Sequence, residues 1–465
     1  MRRTTALLAA VALLAAAVAS SVQHRGPAPA ARSTVRLVPQ ARLGAITARR
    51  SPPTTASCLA RTSGRVTCYE PAQIRAGYDL APLYARGVDG RGETIVVVDA
   101  FGSPTITADL ASFDAAFHLP APPSFKVITP AGPIPAFGAS GKDRPGWASE
   151  TSLDVEWAHA LAPGASILLV ETPTDEVEGT SGFPDIVTAE RYVVTHRLGT
   201  VISQSFGATE QTFHGFAQLS PLRSAYVAAA AAGISVVSGS GDLGATDFKS
   251  TPPAIYTSRV TSWPASDPLV TAVGGTRVDL DASGRAIARA VTWNDRFPQL
   301  PSVPDASGGG RSVFFARPAW QRGVAQVVGA ARGVPDVSMS ASCTAVVDTY
   351  VSFPGTTGNW ETMCGTSEAA PLFAAIVALA DEEAGHGLGV LNPALYALSA
   401  AHAAGIVDVV SGNNTVSWAA SATRTDTVTG FRATAGYDLA TGVGTVDAAR
   451  FVPELVAESR ALAAR

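Results

Sequence analysis

TIVVVDAF, residues 94–101, is a continuous β-branched run with no polar face, entered from the turn-forming GRG of residues 90–92. A strand exposed on one side alternates apolar and polar residues, whereas a strand covered on both sides does not. SILLVE (166–171), TVISQSFG (200–207) and ISVVSG (234–239) repeat the pattern. Helical runs lie between them near 148–161, 183–196 and 217–231, and YEPAQIRAGYDLAPLY (69–84) reads as a short helix ahead of the first strand. This alternation specifies an α/β fold: a central, mostly parallel sheet with helices on both faces. No internal repeat divides the chain, and residues 68–465 read as one domain.

The first residues read as a targeting segment. Arg2 and Arg3 precede an apolar run from Ala6 to Ala19 that ends in small residues and is too short to span a bilayer. Residues 1–19 are expected to be a signal peptide, and residues 20–67 a basic leader rich in Ala, Pro and Arg. The mature protein is expected to be secreted, soluble and free of the membrane.

Residues 1–69 hold ten arginines and no acid, while the whole chain holds 34 basic and 38 acidic residues. The body is therefore acidic and, with only Lys126, Lys142 and Lys249, lysine-poor. That argues against a nucleic-acid partner and fits a protein working in acid. Four cysteines in an exported chain point to disulfides, and proximity favours Cys58 with Cys68 and Cys343 with Cys364.

In parallel sheets, catalytic groups gather at the carboxyl ends of the strands, and three segments qualify. ASETSLDVEWAHALAPG (148–164) places Glu150 and Asp154 four apart, on one helix face. Read blandly, Glu150, Asp154 and Glu156 form a solvated face; read sharply, burial makes the first two share a proton and do base chemistry. GISVVSGSGDLGATDF (233–248) contains a literal G-x-G-x-x-G, but ATDFKSTPPA follows instead of a helix, so the segment reads as a glycine turn presenting Asp242. MCGTSEAAPLFAAIVALADEEAG (363–385) places Ser367 at the mouth of an apolar helix, where developing negative charge is favoured, with Pro371 in the first turn and Gly385 as the stop. Alone, that serine could be only a helix cap. None of the seven histidines sits in a motif that announces a catalytic base.

Together ETSLD, SGSGDLG and CGTSEAAP resemble the sedolisin family of serine-carboxyl peptidases, which have a subtilisin-like fold. YEPAQIRAGYDL, VISQSFG, WPASDPLVTAVGGT, SGGGRSVFFARPAWQ and PDVSMSA extend the resemblance over roughly residues 69–448. It implies Ser367 as nucleophile, Glu150 as general base, Asp154 as the acid orienting it, and Asp242 as the oxyanion-hole acid. It also implies that Ser205, Phe206 and Gly207 form the edge along which a peptide or unfolded protein substrate lies. One structural calcium ion is implied, held by Asp408 and Asp438 side chains and by carbonyls of Val409, Thr434 and Gly436, all hard oxygen donors. Leu243 stands where the family usually has a serine, Cys364 where it usually has a glycine, and the leader is shorter than the family's pro-domain. The expectation is a secreted, monomeric, acid-acting endopeptidase; the alternatives are a catalytically silent peptide-binding relative and a histidine-dependent enzyme in which Asp99 serves as the aspartate.

Overall fold

Alternate residues of the strand at 94–100 enter two different cores. Ile95 and Val97 pack with Leu169, Val201 and Val237 on one face. Val96 and Val98 pack with Val170, Ile202 and Val236 on the other. A strand serving two cores has no position left for a polar side chain until its end, where Asp99 stands. The computed structural model describes residues 50–138, 143–176, 178–250, 254–295, 303–356 and 359–465. The expected signal peptide, and the leader up to residue 49, lie outside the described residues.

The central sheet has eight strands among the described residues: β1 (Thr94–Ala100), β2 (Phe125–Ile128), β3 (Ser166–Thr172), β4 (Val201–Gln204), β5 (Ser235–Gly239), β6 (Thr271–Arg277), β7 (Val291–Thr292) and β8 (Val337–Ser340). Their order is β7-β6-β5-β4-β1-β3-β2, with β8 also paired to β6. All pairs are parallel except β6 with β7. From β1 the chain builds outward through β3 and β2 on one side, and through β4, β5 and β6 on the other. The order therefore reverses between β1 and β4, the place in a parallel sheet where functional groups gather at the carboxyl ends of the strands.

Helices α1 (Thr55–Arg61), α2 (Arg144–Leu161), α3 (Phe183–Thr195), α4 (Ser224–Ala232) and α5 (Thr366–Ala384) place the remaining parts. Residues of α2 and α5 share the core with Ile95 and Val97, while α3 and α4 cover the other face. This is the expected sheet covered on both sides. The run at 217–231 is less regular than its composition suggests: a 3-10 turn over Ser220–Arg223, with Pro221 inside it, precedes α4. The segment at 69–84 likewise forms two helices, Pro71–Gly77 and Ala81–Ala85.

Buried on all sides from Thr366 to Asp381, α5 is apolar around most of its circumference. Gly385, at φ +79°, ends it in the left-handed conformation that favours glycine. Pro371 lies inside the helix rather than in its first turn. Without an N–H it cannot bond the carbonyl of Ser367, four residues earlier, and the Ser205 hydroxyl donates to that carbonyl instead, at 3.4 Å.

Both expected disulfides, Cys58–Cys68 and Cys343–Cys364, are formed. The first ties α1 to the strand Thr67–Tyr69, which pairs with residues 345–347. Residues 55–67, expected to belong to the leader, are thus joined to the folded body, with Cys58 fully buried.

Candidate active site

Asp143 caps α2 by accepting from the Gly146 N–H at 3.2 Å, and the helix then runs through the interior. Glu150, Asp154 and Glu156 are all fully buried, so the solvated-face reading is wrong. It failed because the end of β1 at Asp99, the loop after β3 at Glu176 and the backbone at Tyr350 cover the positions that the charges had marked as wet. Glu156 has its own structural partner, the N–H of Tyr350 at 2.9 Å.

Asp154 is held well above the usual carboxylate range, by burial first and then by the charges of Asp99 and Glu150, with a Ser205 hydrogen bond pulling the other way. Asp99 is fully buried and pushed up to about 7, chiefly by burial, with a Thr151 hydrogen bond opposing and Glu171 adding repulsion. Glu171 is its register partner across β1 and β3. Glu176, in the loop after β3, is also raised well above its ordinary value, by burial and then by Asp175, Asp99 and Glu150. Acids that feel one another in a dry site cannot all ionise; they hold protons in common and titrate as a group.

Ser367 is the second residue of α5, after the N-cap Gly365 at φ +115°, and is nearly buried. It is not the helix cap. Thr366, just before it, donates to Asp242 Oδ1 through both its N–H (2.8 Å) and its hydroxyl (2.7 Å). The same hydroxyl accepts from the Gly241 N–H at 3.2 Å. The glycine turn after β5 is therefore locked to the start of α5, with Asp242 next to the serine. Among the described residues no helix follows that turn. The Cys343–Cys364 bridge braces the approach to the serine, and Leu243, fully buried, fills an apolar cluster with Ala306, Val416 and Trp418.

Ser205, Phe206 and Gly207 follow β4 but form no ladder pair among the described residues. They run past the start of α5, held by the contact between Ser205 and the Ser367 carbonyl. Phe206 is nearly buried, its ring edge-on to Phe183 at 6.4 Å. The four expected catalytic residues and this segment thus lie on α2, just after β4, in the turn after β5 and at the start of α5.

The expected calcium ligands converge elsewhere. Asp408 accepts from the Gly436 N–H at 2.7 Å. Asp438 accepts from the N–H groups of Thr434, Ala440 and Thr441, each at 2.9 Å. No group of three or more His, Cys, Asp or Glu side chains suited to a metal occurs among the described residues. A calcium site here would have two carboxylates and main-chain carbonyls, which is the oxygen chemistry calcium takes.

Three of the histidine rings have main-chain partners of their own. Those of His159, His196 and His386 bond the carbonyls of Pro120, Tyr192 and Gly387. Sequence reasoning missed Glu176 and gave Asp99 a part only in the histidine-dependent alternative. A carboxylate closing an otherwise apolar strand was the available signal for Asp99; Glu176, in a loop, gave none.

The chain matches the family model described as "Subtilase family" over residues 138–444. It is 31% identical to kumamolisin from Bacillus sp. (strain MN-32), over 85% of this chain and 65% of that one. It is 28% identical to sedolisin from Pseudomonas sp. (strain 101), over 65% of this chain and 48% of that one. The chain thus spans less than two thirds of either relative. The solved structure of Pseudomonas sedolisin, titled a serine-carboxyl proteinase and complexed with two molecules of pseudo-iodotyrostatin, superposes with a TM-score of 0.65. It is 25% identical, and the match covers 85% of this chain and 99% of that one. The fold is subtilisin-like.

Proposed function

This chain belongs to the subtilase family, in its sedolisin branch, and on that premise we propose that it is a serine-carboxyl endopeptidase acting on peptides and unfolded proteins in acid. The observation that carries this reading is the buried carboxyl pair Glu150 and Asp154, linked to the Ser367 backbone through Ser205, which bonds Asp154 and the Ser367 carbonyl.

Ser367 attacks the scissile carbonyl and Glu150 takes its proton, becoming neutral. Asp154, raised by burial, holds the proton that orients Glu150 and settles which of the two is charged. The tetrahedral oxyanion forms at the positive end of α5, facing the Ser367 N–H and Asp242. Thr366 occupies Oδ1 of Asp242 as an acceptor, so a proton on that carboxyl belongs on Oδ2, where it donates to the oxyanion. Collapse expels the amine, which leaves with the proton from Glu150, and the acyl-enzyme is hydrolysed by water through the same base. The substrate backbone adds to Ser205–Gly207 as a strand.

Asp408 and Asp438, with carbonyls of Val409, Thr434 and Gly436, would hold a calcium ion that stabilises the C-terminal loops and takes no part in the chemistry. Secretion and a monomeric state complete the proposal. No helix among the described residues is long and apolar enough to cross a membrane. The test is hydrolysis of a denatured protein from pH 2 to 9 by the chain and by Ser367→Ala. Activity peaking in acid and abolished by the substitution supports the proposal. A peak above pH 7 points to a histidine base, and no activity in a folded chain points to the silent peptide binder.

A further inference from the structure

We infer that Glu178 is a positioning residue, a neutral acid that anchors the chain just beyond the substrate-binding segment, so that substrate affinity falls when Glu178 ionises. The inference rests on the peptidase reading of Ser205–Gly207 and adds to it a residue outside the catalytic group.

Glu178 is nearly buried, in the loop that follows β3. Its Oε2 accepts from the Thr209 N–H at 2.9 Å, and Thr209 lies two residues beyond Gly207. Its Oε1 lies 3.2 Å from the Thr209 hydroxyl. That hydroxyl has a single proton and a closer acceptor, the Phe248 carbonyl at 2.8 Å. The Thr212 hydroxyl, 2.9 Å from Oε2, likewise has a closer acceptor in the Thr209 carbonyl at 2.7 Å. Once both hydroxyl protons go to the nearer carbonyls, an ionised Glu178 keeps one firm donor and faces two oxygen lone pairs. A protonated Glu178 fits: Oε2 accepts from the Thr209 N–H, and the acid proton on Oε1 is donated to the Thr209 hydroxyl.

The partner across the bridge explains why Glu178 is the neutral one. Thr209 is paired with Ser262 in a short antiparallel strand pair. The Ser262 hydroxyl donates to Asp247 Oδ2, and the Phe248 N–H donates to Asp247 Oδ1 at 2.8 Å. Burial raises Asp247 above the usual carboxylate range as well, but the Ser262 and Phe248 donors pull it back, so of the two acids it is the better supplied to carry the charge, and it lies five residues beyond Asp242. A methyl group built on Gly241 would stand 3.6 Å from Asp247 Oδ2. The carboxyl of Glu178 thus sits where the substrate segment, the Ser262 strand and the oxyanion turn meet. Burial and then the charge of Asp247 hold Glu178 well above the usual carboxylate range.

Other charged groups do not reverse this. Tyr256 feels the Glu178 charge, and Lys249 stands over the Tyr256 ring, 5.4 Å from its centre. Glu210, in the adjoining turn, is turned to Ser312 and the Val313 N–H. Among the described residues neither Glu178 nor Asp247 forms an ion pair. When Glu178 loses its proton, two like charges face each other across the Thr209–Ser262 bridge, and the segment that receives substrate is loosened.

The experiment measures kcat and KM separately on one peptide substrate from pH 3 to 8, for the unaltered chain, Glu178→Gln and Glu178→Ala. Glutamine reproduces the neutral acid, accepting at its carbonyl and donating from its amide. Glu178→Gln should hold KM within about twofold of its acid value across the range, while KM of the unaltered chain rises by about fivefold or more toward pH 8. Glu178→Ala should raise KM at every pH with a smaller change in kcat. Parallel KM profiles for the unaltered chain and Glu178→Gln overturn the inference. Calorimetric binding of a non-hydrolysed peptide to Ser367→Ala, with and without Glu178→Gln, reads the same pH dependence without turnover. If hydrolysis is absent but this binding shows the difference, the peptidase reading fails and the positioning role stands. If hydrolysis is present and the binding curves coincide, the reverse holds.

Discussion

Helices α2 and α5 lie side by side in the interior, and both are buried along most of their length. They use that burial in different proportions, since α5 takes in only the acids Glu368 and Asp381 among a long run of apolar residues. Through most of its length α5 is apolar, so removing it from water stabilises the fold, at roughly 25 cal/mol per Å² of apolar surface. By contrast, α2 takes Glu150, Asp154 and Glu156 into the same interior, where a bare charge costs several kcal/mol. What α2 loses in stability appears as altered acidity: its carboxyls keep protons that exposed ones would release. On the proposed mechanism the serine belongs to the mostly apolar helix and its base to the acid-bearing one.

The largest effect on this contrast should come from the two helices' reactive groups. Ser367→Ala is expected to lower kcat by about 10⁴-fold or more, and Glu150→Gln by about 10²- to 10⁴-fold, with folding retained by circular dichroism. A Glu150→Gln variant that keeps full activity would remove α2 from the mechanism.

Stability should separate the helices next. Leu372→Ala, in the fully buried part of α5, should cost about 2–5 kcal/mol in denaturant unfolding. Asp154→Asn should leave stability at neutral pH equal or higher, because it removes a buried acid from a repelling group, while kcat falls. Loss of stability in Asp154→Asn comparable to that in Leu372→Ala would show that α2 is held by its carboxyls.

A pH series sharpens the same point. Burial raises Asp154 and Glu176, and brings Asp99 to about 7. The native state therefore binds more protons than the unfolded chain from about pH 4 upward, so this group's contribution is full below pH 4 and is lost as pH rises through about 7. In the Ser367→Ala chain, Tm should fall across that window, and Asp99→Asn should flatten the fall. A Tm that climbs from pH 4 to 7 would contradict the assignment.

The smallest expected effect lies far from both helices. If Asp408 and Asp438 hold calcium, chelation should lower Tm by a few degrees while leaving the pH profile of kcat unchanged, since excess ligand at 100 times its dissociation constant adds about 2.7 kcal/mol. Unchanged Tm, with no metal in the purified protein, would leave the loop to its backbone hydrogen bonds.

Much was legible because it is local. The unbroken apolar run of β1 announced a strand between two cores, and Gly385 marked the end of α5. The spacing of Glu150 and Asp154 placed them on one face, although spacing alone left open whether that face was wet. The placement of Pro371 was misjudged by less than one turn, and the consequence, a carbonyl served by Ser205, was invisible because the donor lies more than 160 residues earlier.

By itself, then, the sequence determined the layered sheet, its buried strands, both disulfide pairs and the candidate catalytic residues, because periodicity, turn chemistry and short motifs act between near neighbours. Only the tertiary structure decided that Asp99 and Glu176 join the acids of α2, that Thr366 fastens Asp242 to the serine helix, and that Glu178 meets Thr209 and faces Asp247. A carboxyl's acidity depends on what surrounds it in space, and that is set when distant segments pack together and exclude water.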